Sequence, residues 1–410
     1  MTDLSRNARR ITFVLFIGQS LASAGFIATA TVNSILGAKL GGAPWAGVPS
    51  AVFLVGGALA ASAWGILMDI FGRRNGIALG LLLGVIGAGL VVVSANQGLP
   101  SLMYPGMVLM GFANAAVLLG RFAAAEVNPP ERRGAAIANV VLGGTAGAIF
   151  GPLLVGPMGV FALRLGMDEL AGAYLAGLVL FAVASAVIFI GLRPDPRDLG
   201  RQVAALYPDS APSGTARPVR VIFREPAALI AMTAMVLGQV VMVAIMVITS
   251  LHMRDNNHQL GDISAVISAH TLGMYAFSVL SGRLADKWGR GPVILTGAST
   301  LLLACLTAPL SPDVLPLAVS LFLLGLGWNF CFVGGSTLLA DQLSPAERAR
   351  TQGFNDLLVG LASATGSLSS GLVFAATSYT VITLVAGGLS LIPLMMALTW
   401  MLRQRAVAQV

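Results

Sequence analysis

A chain of 410 residues that is 56% hydrophobic and only 10% charged, with a mean hydropathy of +0.86, cannot hide its apolar surface inside a water-soluble globule. Its solvent is lipid, which excludes the soluble enzyme and soluble binding-module classes. The net charge of +7 marks no nucleic-acid partner, because the basic residues are spread along the chain in the polar gaps between apolar runs.

Runs near the 20 residues needed to cross a hydrocarbon core recur twelve times, at 11–36, 45–68, 76–97, 101–125, 135–158, 170–192, 227–252, 263–285, 293–310, 314–340, 351–378 and 380–402. The expected fold class is therefore an all-α membrane protein with twelve transmembrane helices. The opening stretch MTDLSRNARRITFVLFIGQSLASA has features of a secretory signal, but its apolar run continues to about residue 36 and reads as the first span. With the N-terminus set inside, only Lys39, Arg164 and Arg254 of the 24 basic residues fall outside, which fixes both termini in the cytoplasm. The 49 glycines fit closely packed helices able to rock on one another. Cys305 and Cys331 both lie in expected spans and define no disulfide framework.

The chain also repeats itself. GILMDIFGRRNG (65–76) follows the second run and GRLADKWGRGPV (282–293) follows the eighth, so Asp69 and Arg73 align with Asp286 and Arg290 at an offset of 217. Asn114, Glu126, Pro130 and Asn139 align with Asn329, Asp341, Pro345 and Asn355 at offsets of 215 or 216, and Gln19 and Thr29 align with Gln239 and Thr249 at 220. Ordered matches at a nearly constant offset mean two six-helix halves, 1–192 and 227–410. They are joined by 193–226, a cytoplasmic connector with six arginines and no apolar periodicity.

This architecture and the doubled G-x-x-x-D-x-x-G-R loop resemble the major facilitator superfamily along the whole chain. The resemblance implies a secondary transporter that works by alternating access about a site near the membrane midplane. It also implies a gating latch at Asp69, Arg73 and Arg74 and at the copy Asp286 and Arg290. Simple loop ordering is the competing account of those charges. The stretch GTAGAIFGPLLVGP (144–157) partly resembles the Gly-Pro motif of antiporters at Gly147, Gly151 and Pro152, and helix packing explains it equally well.

Charge is scarce within the spans. Asp356, one and a half turns into the eleventh, is the candidate proton-coupling residue, or else a side chain reaching back to the interface. Gln19, Asn114, Gln239 and Asn329 are candidate polar groups of the transport cavity. Sulfur and imidazole remain. His252, His258 and His270 fall within 19 residues, and the seventh and eighth runs contain Met242/Met246 and His270/Met274, each an i,i+4 pair. If these two helices are antiparallel neighbours, the helical rise puts both pairs at a shared depth of roughly 9–18 Å. Thioethers and one imidazole form a soft, low-charge metal site that suits Cu(I). His252, Met253 and His258 would then be an outer collection point. Taken alone, a methionine stripe is more often packing, and Met103, Met107 and Met110 make a similar stripe on the fourth run without a histidine.

The M-x-x-x-M and H-x-x-x-M pairs, 28 positions apart, resemble those of the CcoA-type bacterial copper importers. That resemblance implies an inner-membrane importer supplying copper for haem-copper oxidase assembly, with Met242, Met246, His270 and Met274 as metal ligands. Copper would be the cargo, with no resident cofactor, the lipid bilayer as surroundings and a monomer as the working form. Riboflavin or another flat neutral solute is the alternative cargo, drug efflux a further one, and a non-transporting metal sensor a different class. No nucleophile–base pair, nucleotide loop or closed metal cage points to an enzyme.

Overall fold

Hydrocarbon offers no hydrogen-bond partner, so a segment that crosses it must satisfy its backbone internally. The computed structural model, which describes residues 2–207 and 217–408, meets that demand with helices, and no strand occurs among the described residues. Among the described residues, twelve helical stretches are long and apolar enough to cross a membrane, and each overlaps an expected run. Side chains such as Leu59 (67% exposed), Ile190 (68%) and Leu315 (74%) give these helices faces that suit lipid and not water.

The chain divides into two compact units, Met1–Gly41 with Pro49–Ala211 and Gly42–Val48 with Pro212–Val410. The first comprises α1 (Thr2–Gly41), α2 (Val48–Phe71), α3 (Arg73–Gln97), α4 (Pro100–Leu118), α5 (Gly120–Glu126), α6 (Arg133–Leu153), α7 (Val155–Arg164), α8 (Ala171–Gly191) and α9 (Pro196–Leu206). The second comprises α10 (Val219–Ile222), α11 (Pro226–Asp255), α12 (Leu260–Tyr275), α13 (Ser278–Trp288), α14 (Arg290–Thr307), α15 (Val314–Asp341), α16 (Pro345–Ala376) and α17 (Tyr379–Ala408).

This division differs from the expected boundaries in two ways. The segment expected to lack periodicity contains α9, whose Pro196, Leu199 and Val203 are buried at one helical face while Asp195 caps its N-terminus. The apolar stripe is only three residues long, too short to stand out among six arginines, and 208–216 of the expected connector lie outside the described residues. Gly42–Val48, by contrast, leaves the first half and packs on α16, where Ser367 Oγ donates to the Gly47 carbonyl at 2.7 Å.

In the first unit α1 packs on α6 and α8, and α3 packs on α4 and α8. Gly143, Gly147 and Gly151, one turn apart on α6, lie against the carbonyls of Phe16, Ser20 and Ala24 on α1, so a Cβ at any of them would meet backbone. That close approach accounts for the glycines of the GTAGAIFGP stretch through packing. Met103, Met107 and Met110 are fully buried, so the α4 stripe is core. A buried polar chain runs from Tyr174, whose hydroxyl donates to Asn33 Oδ1 at 2.7 Å, to Ser50, which accepts from Asn33 Nδ2 at 3.2 Å.

In the second unit α15 is the hub, packing on α11, α12 and α14. Gly147→Ala forces a Cβ against the Ser20 carbonyl and is expected to destabilise the protein by about 1–3 kcal/mol. Gly134→Ala, whose Cβ would meet nothing within 4 Å, is expected to cause no loss. Thermal unfolding of the two variants in detergent checks the contrast.

Candidate functional site

A cluster of charges gathers at the turn between α2 and α3 and again at its repeat between α13 and α14. Gly72, with φ of 90°, turns the chain into α3, and a Cβ there would meet Asp195. The Asp195 carboxylate accepts from the backbone N–H groups of Arg73 (3.0 Å), Arg74 (3.1 Å) and Arg197 (2.9 Å), so one side chain caps both α3 and α9. The Arg73 guanidinium is then aimed at Glu126 (2.7 Å) and Asp69 (3.0 Å), while Arg74 lies over the Phe189 ring. In the repeat, Arg290 reaches Asp341 (2.8 Å) and Asp286 (3.5 Å). Glu126 and Asp341, aligned by the internal repeat, are thus equivalent partners of equivalent arginines. Asp195 was not foreseen, since nothing near it in sequence points to the start of α3.

His270 sits where α12 and α15 approach most closely. Gly273 faces the Phe322 carbonyl and Gly325 faces the His270 carbonyl, so neither helix holds the other off. The fully buried imidazole donates from Nδ1 to the Leu321 carbonyl at 2.9 Å, which leaves the Nε2 lone pair of the neutral ring without a hydrogen-bond partner. Met274, one turn along, is also buried. On α11, Met242 is buried and Met246 half-buried. The antiparallel pairing of α11 and α12 on which the shared depth depends is weak: α12 packs mainly on α15, α11 divides its packing among α15, α16 and α17, and their mutual contact is slight. No group of three or more His, Cys, Asp and Glu is gathered among the described residues, so a metal at His270 would rest mainly on thioethers.

The three residues of the expected outer cluster lie close together, the His258 N–H donating to the Met253 carbonyl at 3.1 Å, but their side chains meet different partners. Met253 is fully buried, so its sulfur is not presented as a collection point. His252 stacks on Tyr379 with centroids 4.2 Å apart, and Tyr379 hydrogen-bonds Thr249 at 2.8 Å. His258 donates from Nε2 to the Pro312 carbonyl at 3.0 Å. Asp356 is exposed on α16, and Cys331 is buried against Gly238 and Gly297.

Of the four candidate cavity groups, Asn329 is corrected to a structural role. It is buried at the break between α12 and α13, where Nδ2 donates to the Met274 carbonyl (2.7 Å) and Ser278 Oγ (2.9 Å) and Oδ1 accepts from Ser281. Gln19 bonds Ser23 on its own helix at 3.1 Å, and Asn114 is half-buried on α4. Gln239 anchors a half-buried cluster that sequence reasoning missed. Its Oε1 accepts from Trp328 Nε1 at 2.6 Å and its Nε2 donates to Ser363 at 2.8 Å. Trp328 also stacks on Phe332 (5.0 Å) and meets the edge of Tyr275 (6.3 Å). These residues sit near the middle of α11, α15 and the Leu260–Trp288 and Arg350–Ala376 spans. The available signal was a tryptophan at mid-span, where an indole N–H needs a partner.

The family model described as Major Facilitator Superfamily matches residues 15–255 and again 240–409. The chain belongs to the Major Facilitator Superfamily. It is therefore a multi-pass membrane transporter and not an enzyme. This facilitator is 36% identical over 387 residues to the uncharacterised MFS-type transporter YdeG of Bacillus subtilis, covering 94% of this chain and 90% of that one. It is 29% identical over 362 residues to the riboflavin transporter RfnT of Brucella anthropi, covering 88% and 87%. The nucleoside transporter NupG shares the fold, with a TM-score of 0.70 at 16% identity over 96% of this chain and 98% of that one.

One further ion pair fastens the connector. Arg217 reaches Glu347 through Nε (2.7 Å), Nη2 (3.1 Å) and its backbone N–H (3.0 Å), while Glu347 also accepts from the Ser344 N–H in a capping box at the start of α16. The guanidinium and these N–H groups hold the Glu347 carboxyl well below the usual carboxylate range. A depressed folded value stabilises the fold above the unfolded value of about 4.3, and that contribution is lost as pH falls further toward the folded value. Glu347→Gln is thus expected to melt below wild type at pH 7, with the gap closing as pH drops below about 4. Paired melting curves across pH check it.

Proposed function

We propose that this facilitator imports copper across the bacterial inner membrane, with both termini in the cytoplasm, for cuproenzyme assembly. The observation that carries the reading is the buried His270 Nε2 with no partner. A histidine whose Nδ1–H is fixed by a carbonyl has its other nitrogen aimed and ready as a metal ligand. Its near neighbour along α12 is a buried thioether, Met274, and the candidate thioethers Met242 and Met246 stand on α11, whose contact with α12 is slight. Soft neutral ligands suit a monovalent cargo, and the lack of a carboxylate cage keeps the ion from being held too tightly to leave.

A second reading is favoured by the mid-span cluster on Gln239. Trp328, Tyr275 and Phe332 offer partly buried aromatic faces beside an amide, which suits a flat neutral solute. The 29% identity to a protein named as a riboflavin transporter supports it.

The two readings separate by mutation. Under copper import, His270→Ala and Met274→Ala, and likewise Met242→Ala and Met246→Ala, each raise the copper concentration that half-saturates uptake by about tenfold. Trp328→Ala leaves copper uptake unchanged. Under the second reading Trp328→Ala abolishes riboflavin uptake and the four sulfur and imidazole variants do little. Isotopic copper and riboflavin uptake in cells with matched expression decide it. Normal copper uptake in all four variants would remove His270 as the site.

A further inference from the structure

At the basic end of the first unit, α1 and α6 separate beyond their glycine contact and leave a cavity of about 510 Å³. Arg9 on α1 and Arg132 beside the start of α6 stand at its mouth, and Phe13, Phe16 and Leu142 line it further along. A second cavity of about 210 Å³ opens off the same two arginines toward α9. Among the described residues neither arginine makes an ion pair or hydrogen bond, in contrast to Arg73, Arg197, Arg217 and Arg290. The side chain of neighbouring Glu131 lies outside the described residues. Thr12 and Asn128, which also line the cavity, are spent on each other and on the Ala8 and Ala124 carbonyls.

The cavity therefore has two ends of opposite chemistry. Arg9 and Phe16 are seven residues apart on one helix, about 10 Å along its axis. Over that distance the wall changes from two guanidinium groups to the parallel rings of Phe13 and Phe16, with Phe13 61% exposed and Leu142 57% exposed. A soluble anion would satisfy the arginines and leave these rings uncovered. A transported cation would be repelled. From this charge complementarity over an apolar wall we infer that the cavity is a binding site for an anionic glycerophospholipid. The lipid phosphate sits between Arg9 and Arg132, and the upper acyl chain lies along Phe13, Phe16 and Leu142.

The test uses the full-length protein purified from nanodiscs of phosphatidylglycerol and phosphatidylcholine, with retained lipid counted by native mass spectrometry. Wild type is expected to keep phosphatidylglycerol in preference to phosphatidylcholine. Arg9→Gln with Arg132→Gln is expected to lower that retention about thirtyfold, from the worth of two basic residues beside an anionic leaflet. Arg10→Gln, which removes a nearby arginine that does not line the cavity, is expected to retain it. Leu142→Trp keeps both arginines but fills the acyl groove, and is also expected to lose the lipid, so a double variant that misfolds does not protect the idea. Equal retention in the double variant, normal retention in Leu142→Trp, or displacement by millimolar inorganic phosphate alone would each overturn the proposal.

Discussion

A bilayer core that offers no hydrogen bonds decides nearly everything in this chain. It forces the backbone into helices, and it forces each polar side chain placed among them to find a partner inside the protein. The buried Tyr174–Asn33 pair, the Asn329 bridge and the Gln239–Trp328 bond are three separate answers to that one demand. The Nε2 of His270 is one of six buried side-chain atoms among the described residues that lack a hydrogen-bond partner, and in hydrocarbon an orphan nitrogen carries its full desolvation penalty. A ligand that visits the site would relieve that penalty during transport.

The charged ends follow a different rule. There water is available, and arginines serve geometry more than stability. Arg73 and Arg290 each gather two carboxylates, one from the preceding helix and one from the far end of the next span. Both arms start from a glycine with positive φ, which allows the chain to turn without strain at the place where the guanidinium must emerge. Such pairs are strong enough to bias a conformation and weak enough to exchange partners.

How much of this was legible in the sequence follows from what one-dimensional patterns contain. Hydropathy fixes where each helix lies along the membrane normal, so the twelve spans and the mid-span placement of Met242, His270 and Gln239 could be read directly. Internal repetition fixed the pairing of Glu126 with Asp341. Neither fixes which way a side chain points around its helix axis. Hence Asn329 braces a helix break where a cavity-lining group is expected, Met253 is buried where an outer collection point is expected, and α11 and α12 touch only slightly, α12 packing mainly on α15 while α11 divides its packing among α15, α16 and α17. Trp328 was passed over for the same reason, since its role comes from Gln239 and Ser363 on other helices.

The seat of Gly42–Val48 on α16 bears on how such a two-fold protein is assembled. Gly47 lies against the Ser367 backbone so tightly that a side chain could not fit, and its carbonyl satisfies the Ser367 hydroxyl. The second unit is thus completed by a strap of chain encoded within the first repeat. The evolutionary duplication and the packing units do not coincide, and the C-terminal repeat excised by itself would carry an empty groove and a hydroxyl with no acceptor. Translation order then has meaning: the strap is made long before the helix it fits, and waits for α16 to arrive.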